Sequence, residues 1–227
     1  MKFGVIQFPG SCDEQDALAA ARRVGEGELV WHADRDLRGA DAVVIPGGFS
    51  YGDYLRAGAI ARFAPAMESV VEFARAGGLV LGICNGFQVL CEAHLLPGAL
   101  LPNLNMRFTS RQVALEVLRA DSAFTAAFSE GQRLSIPAKH SWGRYYADDN
   151  TLTTMERAGQ VLLRYAPGEN FNGSLRDIAG VCNADGNVFG LMPHPEHAVD
   201  ELLGGSSDGL GIFASMAMAL EGALARH

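Results

Sequence analysis

The chain has 227 residues, 48% of them hydrophobic and 19% charged, which supplies enough apolar material for a sizeable core and argues against disorder. Its net charge of −8 and the absence of any Lys/Arg cluster make nucleic acid a poor partner. No apolar run approaches the ~20 residues that a membrane-spanning helix needs. The first eight residues, Met1-Lys-Phe-Gly-Val-Ile-Gln-Phe8, lack the long apolar stretch and small-residue cleavage site of a signal peptide. The expectation is one domain over residues 1–227 with a cytosolic location.

In chain order, Lys2–Phe8 reads as a strand and Asp13–Val24 as an Ala-rich helix that Asp13 could cap. Glu28–His32 and Asp41–Ile45 are strands, the second stopping at Pro46-Gly47-Gly48. Ile60–Ala76 has a helical pattern closed by Gly77-Gly78. Leu79–Ile83 is a strand, and Phe87–Leu95 a helix ending before Pro97-Gly98. This alternation predicts an α/β fold with a parallel sheet between helices, whose ligand site lies at the carboxyl ends of the strands. The second half is richer in strands: Val113–Leu118, Arg133–Ile136, Val161–Tyr165, and Asp177–Asn183 with Asn187–Met192 joined by a turn at Ala184-Asp185-Gly186. A last helix is expected over Leu210 to Ala225.

The most informative run is Leu79-Val-Leu-Gly82-Ile-Cys84-Asn85-Gly86-Phe-Gln88. A buried strand runs into a cysteine with small residues on both sides, and a helical pattern starts at once behind it. That is the make-up of a nucleophile elbow, in which glycines stand where a Cβ would strike neighbouring backbone. The positive end of the new helix favours negative charge beside the sulfur, and its free N–H groups can bind an oxyanion. The other cysteines, Cys12, Cys91 and Cys182, form no C-x-x-C pair and read as small buried hydrophobes.

Two further loops follow strand ends. In Leu191-Met-Pro-His194-Pro-Glu196, two prolines fix the backbone around a histidine and set a carboxylate within its reach. H-x-E alone occurs by chance, and an isolated loop histidine is usually a polar surface residue. Together with the elbow, Cys84, His194 and Glu196 compose a nucleophile, base and orienting acid. Ile45-Pro-Gly47-Gly48-Phe-Ser-Tyr-Gly-Asp53 matches neither phosphate-binding glycine spacing. It is either an ordinary turn or the source of an oxyanion donor, the Gly48 N–H, with the Asn85 N–H as the second. His194-x-x-His197 could be a metal pair, but no third ligand stands at a suggestive spacing, so His197 is read as a non-ligand and no metal is expected. Trp142, Tyr145 and Tyr146 belong to a polar-aromatic loop that is as consistent with a surface turn as with a substrate contact.

At these residues the chain resembles the triad-type, class I glutamine amidotransferases, whose nucleophile motif G-x-C-x-G-x-Q is matched by Gly82 to Gln88. Within that family it is most similar to the glutaminase subunits of phosphoribosylformylglycinamidine synthases of purine biosynthesis. The similarity runs through Pro46-Gly-Gly-Phe-Ser-Tyr-Gly-Asp-Tyr-Leu-Arg-Ala-Gly-Ala59, Leu101–Phe108, Asn172–Gly180 and Ala198–Gly204, essentially the whole chain. It departs at His197, where the family usually has arginine, and at His140-Ser-Trp-Gly143, where it often has H-G-E-G.

The resemblance implies a flavodoxin-like sheet with added antiparallel strands and hydrolysis of L-glutamine through a thioester on Cys84. It gives Gly48 and Asn85 the oxyanion and has Gln88 support that loop or line the pocket. It implies a partner synthase subunit, with or without a third small subunit. No cofactor is expected in this chain; ATP and Mg²⁺ would sit on the synthase. Two other readings are a free-standing cysteine hydrolase of the same fold, such as a γ-glutamyl hydrolase or peptidase, and a non-catalytic partner-binding subunit. The Phe49–Ala59 loop speaks against the first, and the intact Cys84, His194 and Glu196 against the second.

Overall fold

The structure is a computed structural model and describes residues 1–224. The elements are β1 (Lys2–Gln7), α1 (Glu14–Ala21), β2 (Glu26–Trp31), β3 (Ala42–Ile45), α2 (Pro65–Arg75), β4 (Leu79–Ile83), α3 (Asn85–Glu92), β5 (Ala99–Leu101), β6 (Thr109–Val117) and β7 (Arg133–His140). They continue with β8 (Arg144–Tyr146), α4 (Asp149–Arg157), β9 (Val161–Tyr165), β10 (Ile178–Cys182), β11 (Val188–Leu191), α5 (Glu201–Gly204) and α6 (Leu210–Leu224). Ala225, the expected last residue of the final helix, lies outside the described residues.

Among the described residues, nine strands form one sheet in the order β2-β1-β3-β4-β11-β10-β9-β6-β7. The first five run parallel, and β10, β9, β6 and β7 extend the sheet antiparallel. Every residue of β3 and β4 is buried, as expected for parallel strands covered on both faces. The α/β prediction with a mostly parallel sheet therefore holds. β5 and β8 pair separately.

Local differences from the sequence reading have local causes. The helix expected over Ile60–Ala76 is broken, with a 3₁₀ turn at Ala61–Phe63 before α2. Ala64 is extended (ψ 143°) because it precedes Pro65, which disfavours helical backbone in the residue before it. The strand expected to end at Ile136 continues through Pro137 to His140, which an edge strand tolerates. Helix α4 was not anticipated: its buried face is only Leu152 and Met155, though Asp148 caps it by accepting from the Asn150 and Thr151 N–H groups.

The parallel register brings the functional loops together. Ile45 pairs with Gly82, and Leu191 with Ile83. The loops after β1, β3, β4 and β11 thus leave the sheet at one edge, carrying Asp13, Gly48, Cys84 and His194. Helix α3 packs on this edge without room for side chains: a Cβ on Gly86 would lie 1.9 Å from the Ile45 carbonyl oxygen. Gly86→Ala should therefore destabilise the fold by about 3 kcal/mol or more, since backbone cannot yield as a side chain can. Gly186→Ala, left-handed but in open space, should cost only about 1–2 kcal/mol. Equal midpoints for the two variants in urea unfolding would show that α3 does not need this contact.

Candidate active site

Cys84 sits between β4 and α3 with φ 50° and ψ −102°, outside the regions that side-chain-bearing residues favour. Such a conformation costs about 1–3 kcal/mol and persists only where its surroundings impose it. Here the Cys84 N–H donates to the Leu191 carbonyl at 2.8 Å, and the Gln88 N–H closes on the Cys84 carbonyl at 3.2 Å. The sulfur is buried but borders a cavity of about 150 Å³ shared with Gly48, Asp53, Gln88, Lys139, Trp142 and His194.

The geometry joins the three expected residues. His194 is buried, its N–H held at 2.7 Å by the Pro137 carbonyl. Its Nδ1 lies 2.7 Å from Oε1 of the buried Glu196; a carboxylate only accepts, so Nδ1 donates. Nε2, the other ring nitrogen, is turned away from Glu196. Burial alone would push the imidazole pKa down, but the Glu196 carboxylate and negative charge on nearby Cys84 outweigh it and raise it to about 10. The sulfur and the imidazole therefore act on each other directly, through charge and hydrogen bonding, and both border the cavity.

Gly48 adopts φ +146°; a Cβ there would approach the Cys12 nitrogen and the Gly10 carbonyl to 2.7 Å. The turn is closed by Cys12 and Asp13 N–H groups on the Gly47 carbonyl and by the Phe49 N–H on Gly10; among the described residues, none of these backbone bonds uses the Gly48 N–H. The Asn85 N–H is the first of α3. The Asn85 side chain points to the loop instead, accepting from the Ser50 N–H at 3.0 Å and donating to Asp53 and Gln88. Gln88 donates in turn to the Trp142 carbonyl at 2.5 Å and lines the cavity.

Sequence reasoning missed Asp13. It occupies the N-cap position of α1, yet its side chain makes no capping bond. The buried carboxylate instead meets Lys139 Nζ at 2.6 Å, His197 Nε2 at 3.2 Å and His194 Nδ1 at 3.6 Å. Burial would raise its pKa, but the His197 hydrogen bond and the charges of His194 and Lys139 hold it well below the usual carboxylate range. Asp13, His194, Glu196 and His197 bring ligand-type atoms within 4.8 Å of one another, although the Lys139 ammonium already occupies Asp13. Only the fold shows this grouping, since 181 positions separate Asp13 from His194.

Cys91 and Cys182 are buried as expected, whereas Cys12 is exposed and borders the same cavity as Cys84; the turn at Gly10 carries it outward. His140 is buried, with Nδ1 3.0 Å from Asn103 Oδ1, and burial pushes its pKa down to about 3. The aromatic loop divides: Tyr145 is core, bonded to the Pro97 carbonyl, Tyr146 is exposed, and Trp142 edges the cavity.

This arrangement predicts that the His194 imidazole, followed by ¹³C NMR, titrates far above the ordinary histidine range. In Glu196→Gln its pKa should drop by about one to three pH units, the usual effect of removing an adjacent opposite charge. An ordinary value near 6.5 in the unaltered protein would contradict the geometry.

Residues 1–206 match the CobB/CobQ-like glutamine amidotransferase domain. Over 217 residues the chain is 59% identical to the phosphoribosylformylglycinamidine synthase subunit PurQ of Rubrobacter xylanophilus, covering 95% of this chain and 97% of that one. It is 58% identical over 225 residues to the PurQ subunit of Mycolicibacterium paratuberculosis, covering 99% and 98%. Among solved structures, PurLQS from Thermotoga maritima contains a chain that superposes with a TM-score of 0.88 at 43% identity, over 96% of this chain and 98% of that one. With the elbow cysteine, the His194–Glu196 pair and the glycine loop on one sheet edge, the chain belongs to the glutamine amidotransferase family, among its PurQ-type members.

Proposed function

We propose that this chain is the glutaminase subunit of a phosphoribosylformylglycinamidine synthase and that it passes ammonia to a synthase subunit. The observation that carries the reading is the buried His194–Glu196 hydrogen bond, with the imidazole acting on a strained cysteine at a cavity. The name of the relatives supplies the acceptor reaction, in which formylglycinamide ribonucleotide becomes formylglycinamidine ribonucleotide. In this reading ATP and Mg²⁺ are held by the synthase subunit.

The reaction follows from the site. The Cys84 thiolate adds to the side-chain amide carbon of L-glutamine. The oxygen takes up the negative charge and is met by the N–H groups of Gly48 and Asn85. His194, charged because of its raised pKa, gives the Nε2 proton to the departing nitrogen, and ammonia leaves. The neutral imidazole then removes a proton from water, whose oxygen attacks the thioester. Glutamate leaves, and Cys84 and His194 return to a thiolate and an imidazolium. Glu196 orients the ring and stabilises its charge in both halves. Asp13, paired with Lys139, lies 3.6 Å from the same ring nitrogen that Glu196 holds.

A free-running glutaminase would release ammonia to water, where it is protonated and lost as a nucleophile. The cavity mouth offers the means of control. Phe49 and Phe108 line the cavity and are exposed, and beside them in sequence Leu55 and Met106 are 89% and 76% exposed. Leu202 and Leu203, in the segment after His194, are exposed at 95% and 90%. Apolar side chains so exposed mark a docking surface for the synthase.

In the assembled complex, Cys84→Ala should abolish glutamine-dependent synthesis and leave synthesis from high ammonium intact, because only the nitrogen source is lost. Leu55→Asp should weaken assembly while the isolated subunit stays folded. Glutamine turnover by Cys84→Ala, or a free chain that already runs at the rate of the complex, would favour a free-standing hydrolase.

A further inference from the structure

The proposed substrate carries an α-ammonium as well as the reacting amide, and the mechanism above leaves that charge without a partner. The cavity that holds Cys84 and His194 is lined by two acidic side chains, Asp13 and Asp53. Asp13 is already saturated: the Lys139 ammonium lies at 2.6 Å and His197 at 3.2 Å. Asp53 has no such cation. Its Oδ1 accepts from Asn85 Nδ2 at 3.1 Å, and the Gly58 N–H supplies a second hydrogen bond. Among the described residues it forms no ion pair. Half-buried and unpaired, its carboxyl is pushed above the usual range by desolvation. An arriving cation would repay that cost.

The backbone holds Asp53 there at some expense. Tyr51, Asp53 and Leu55 all have left-handed φ values, of 53°, 53° and 70°. Side-chain-bearing residues seldom adopt this conformation, so three in five positions signal a loop shaped by function rather than by propensity. The loop is pinned through Asn85, the residue directly after Cys84, which bonds both the Ser50 N–H and Asp53. The carboxylate is thereby tied in position to the nucleophile.

We infer that Asp53 is the specificity-determining residue that binds the α-ammonium of the amino-acid substrate while Cys84 attacks its side-chain amide. This rests on the glutaminase reading above. The assignment makes Asp53 a binding group that acts on KM and on the choice between amides. It also couples recognition to the oxyanion loop, because Asp53 and Gly48 lie five residues apart on the strand-to-helix connection.

The test compares L-glutamine with glutaramate, which is glutamine without its α-ammonium, in the complete synthase complex. The unaltered complex should prefer glutamine by kcat/KM. Asp53→Asn keeps the size and can still accept from Asn85, and it should cut that preference about 10–100-fold, mainly through KM for glutamine, with glutaramate little affected. Asp53→Glu should recover part of the preference. Equal losses on both substrates would reduce Asp53 to a brace for the loop and overturn the inference. So would an unaltered complex that does not distinguish the two amides, an outcome that needs no variant to fold. An unaltered complex that hydrolyses neither amide would instead defeat the glutaminase reading itself.

Discussion

The structure depends on one constraint, the left-handed turn that joins β4 to α3 at Cys84. The turn can form only because α3 lies almost in contact with backbone of the sheet. Gly86 faces the Ile45 carbonyl, Gly82 faces Gly86, and Gly190 of β11 gives room to the Phe87 ring. Each of these approaches excludes a Cβ. The tight seat lets the helix begin immediately after the sulfur, so that the first N–H groups of α3 and the nucleophile share one corner of the cavity. Strain at Cys84 is the counterpart of that placement.

A second constraint is electrostatic. Asp13, Lys139, His194, Glu196 and His197 converge from the β1 loop, β7 and the β11 loop. Isolated, any of the buried charges would be costly. Together two carboxylates face one ammonium and two imidazoles, and the raised pKa of His194 keeps a second positive charge among them. The histidine is thus prepared to act as an acid before it acts as a base, the order that cleavage of an amide through a thioester requires. Glu196 Oε1 faces both rings, 2.7 Å from His194 Nδ1 and 3.6 Å from His197 Nε2.

Much of this was legible in the sequence because it depends on local patterns. The strands β1, β3 and β4 are short apolar runs, β3 stopping at Pro46 and β4 starting after Gly77-Gly78, and the elbow is contiguous from Gly82 to Gln88. His194 and Glu196 are two residues apart between prolines, so their pairing needed no tertiary information. What escaped is what the fold alone brings together. Asp13 read as a helix cap because its neighbours are helical, and only the sheet carries it to Lys139 and His194. Cys12 read as a buried hydrophobe, yet the Gly10 turn exposes it. The break at Ala64 was available from Pro65, but the apolar pattern on both sides concealed it. The small β5–β8 pair and α4 have too few buried residues to leave a periodic signal.

The central claim is that Cys84 alone among four cysteines is placed and activated to attack a glutamine side chain. Cys12 is the discriminating rival, since it is exposed and borders the same cavity. Diazo-oxonorleucine, a glutamine analogue with an electrophilic carbon in place of the amide nitrogen, reports the attacking sulfur directly by mass spectrometry of the digested protein. The account predicts one adduct on the peptide containing Cys84, prevented by excess glutamine and strongly slowed in His194→Ala. An adduct on Cys12, or Cys84 labelling that His194→Ala leaves unchanged, would contradict it.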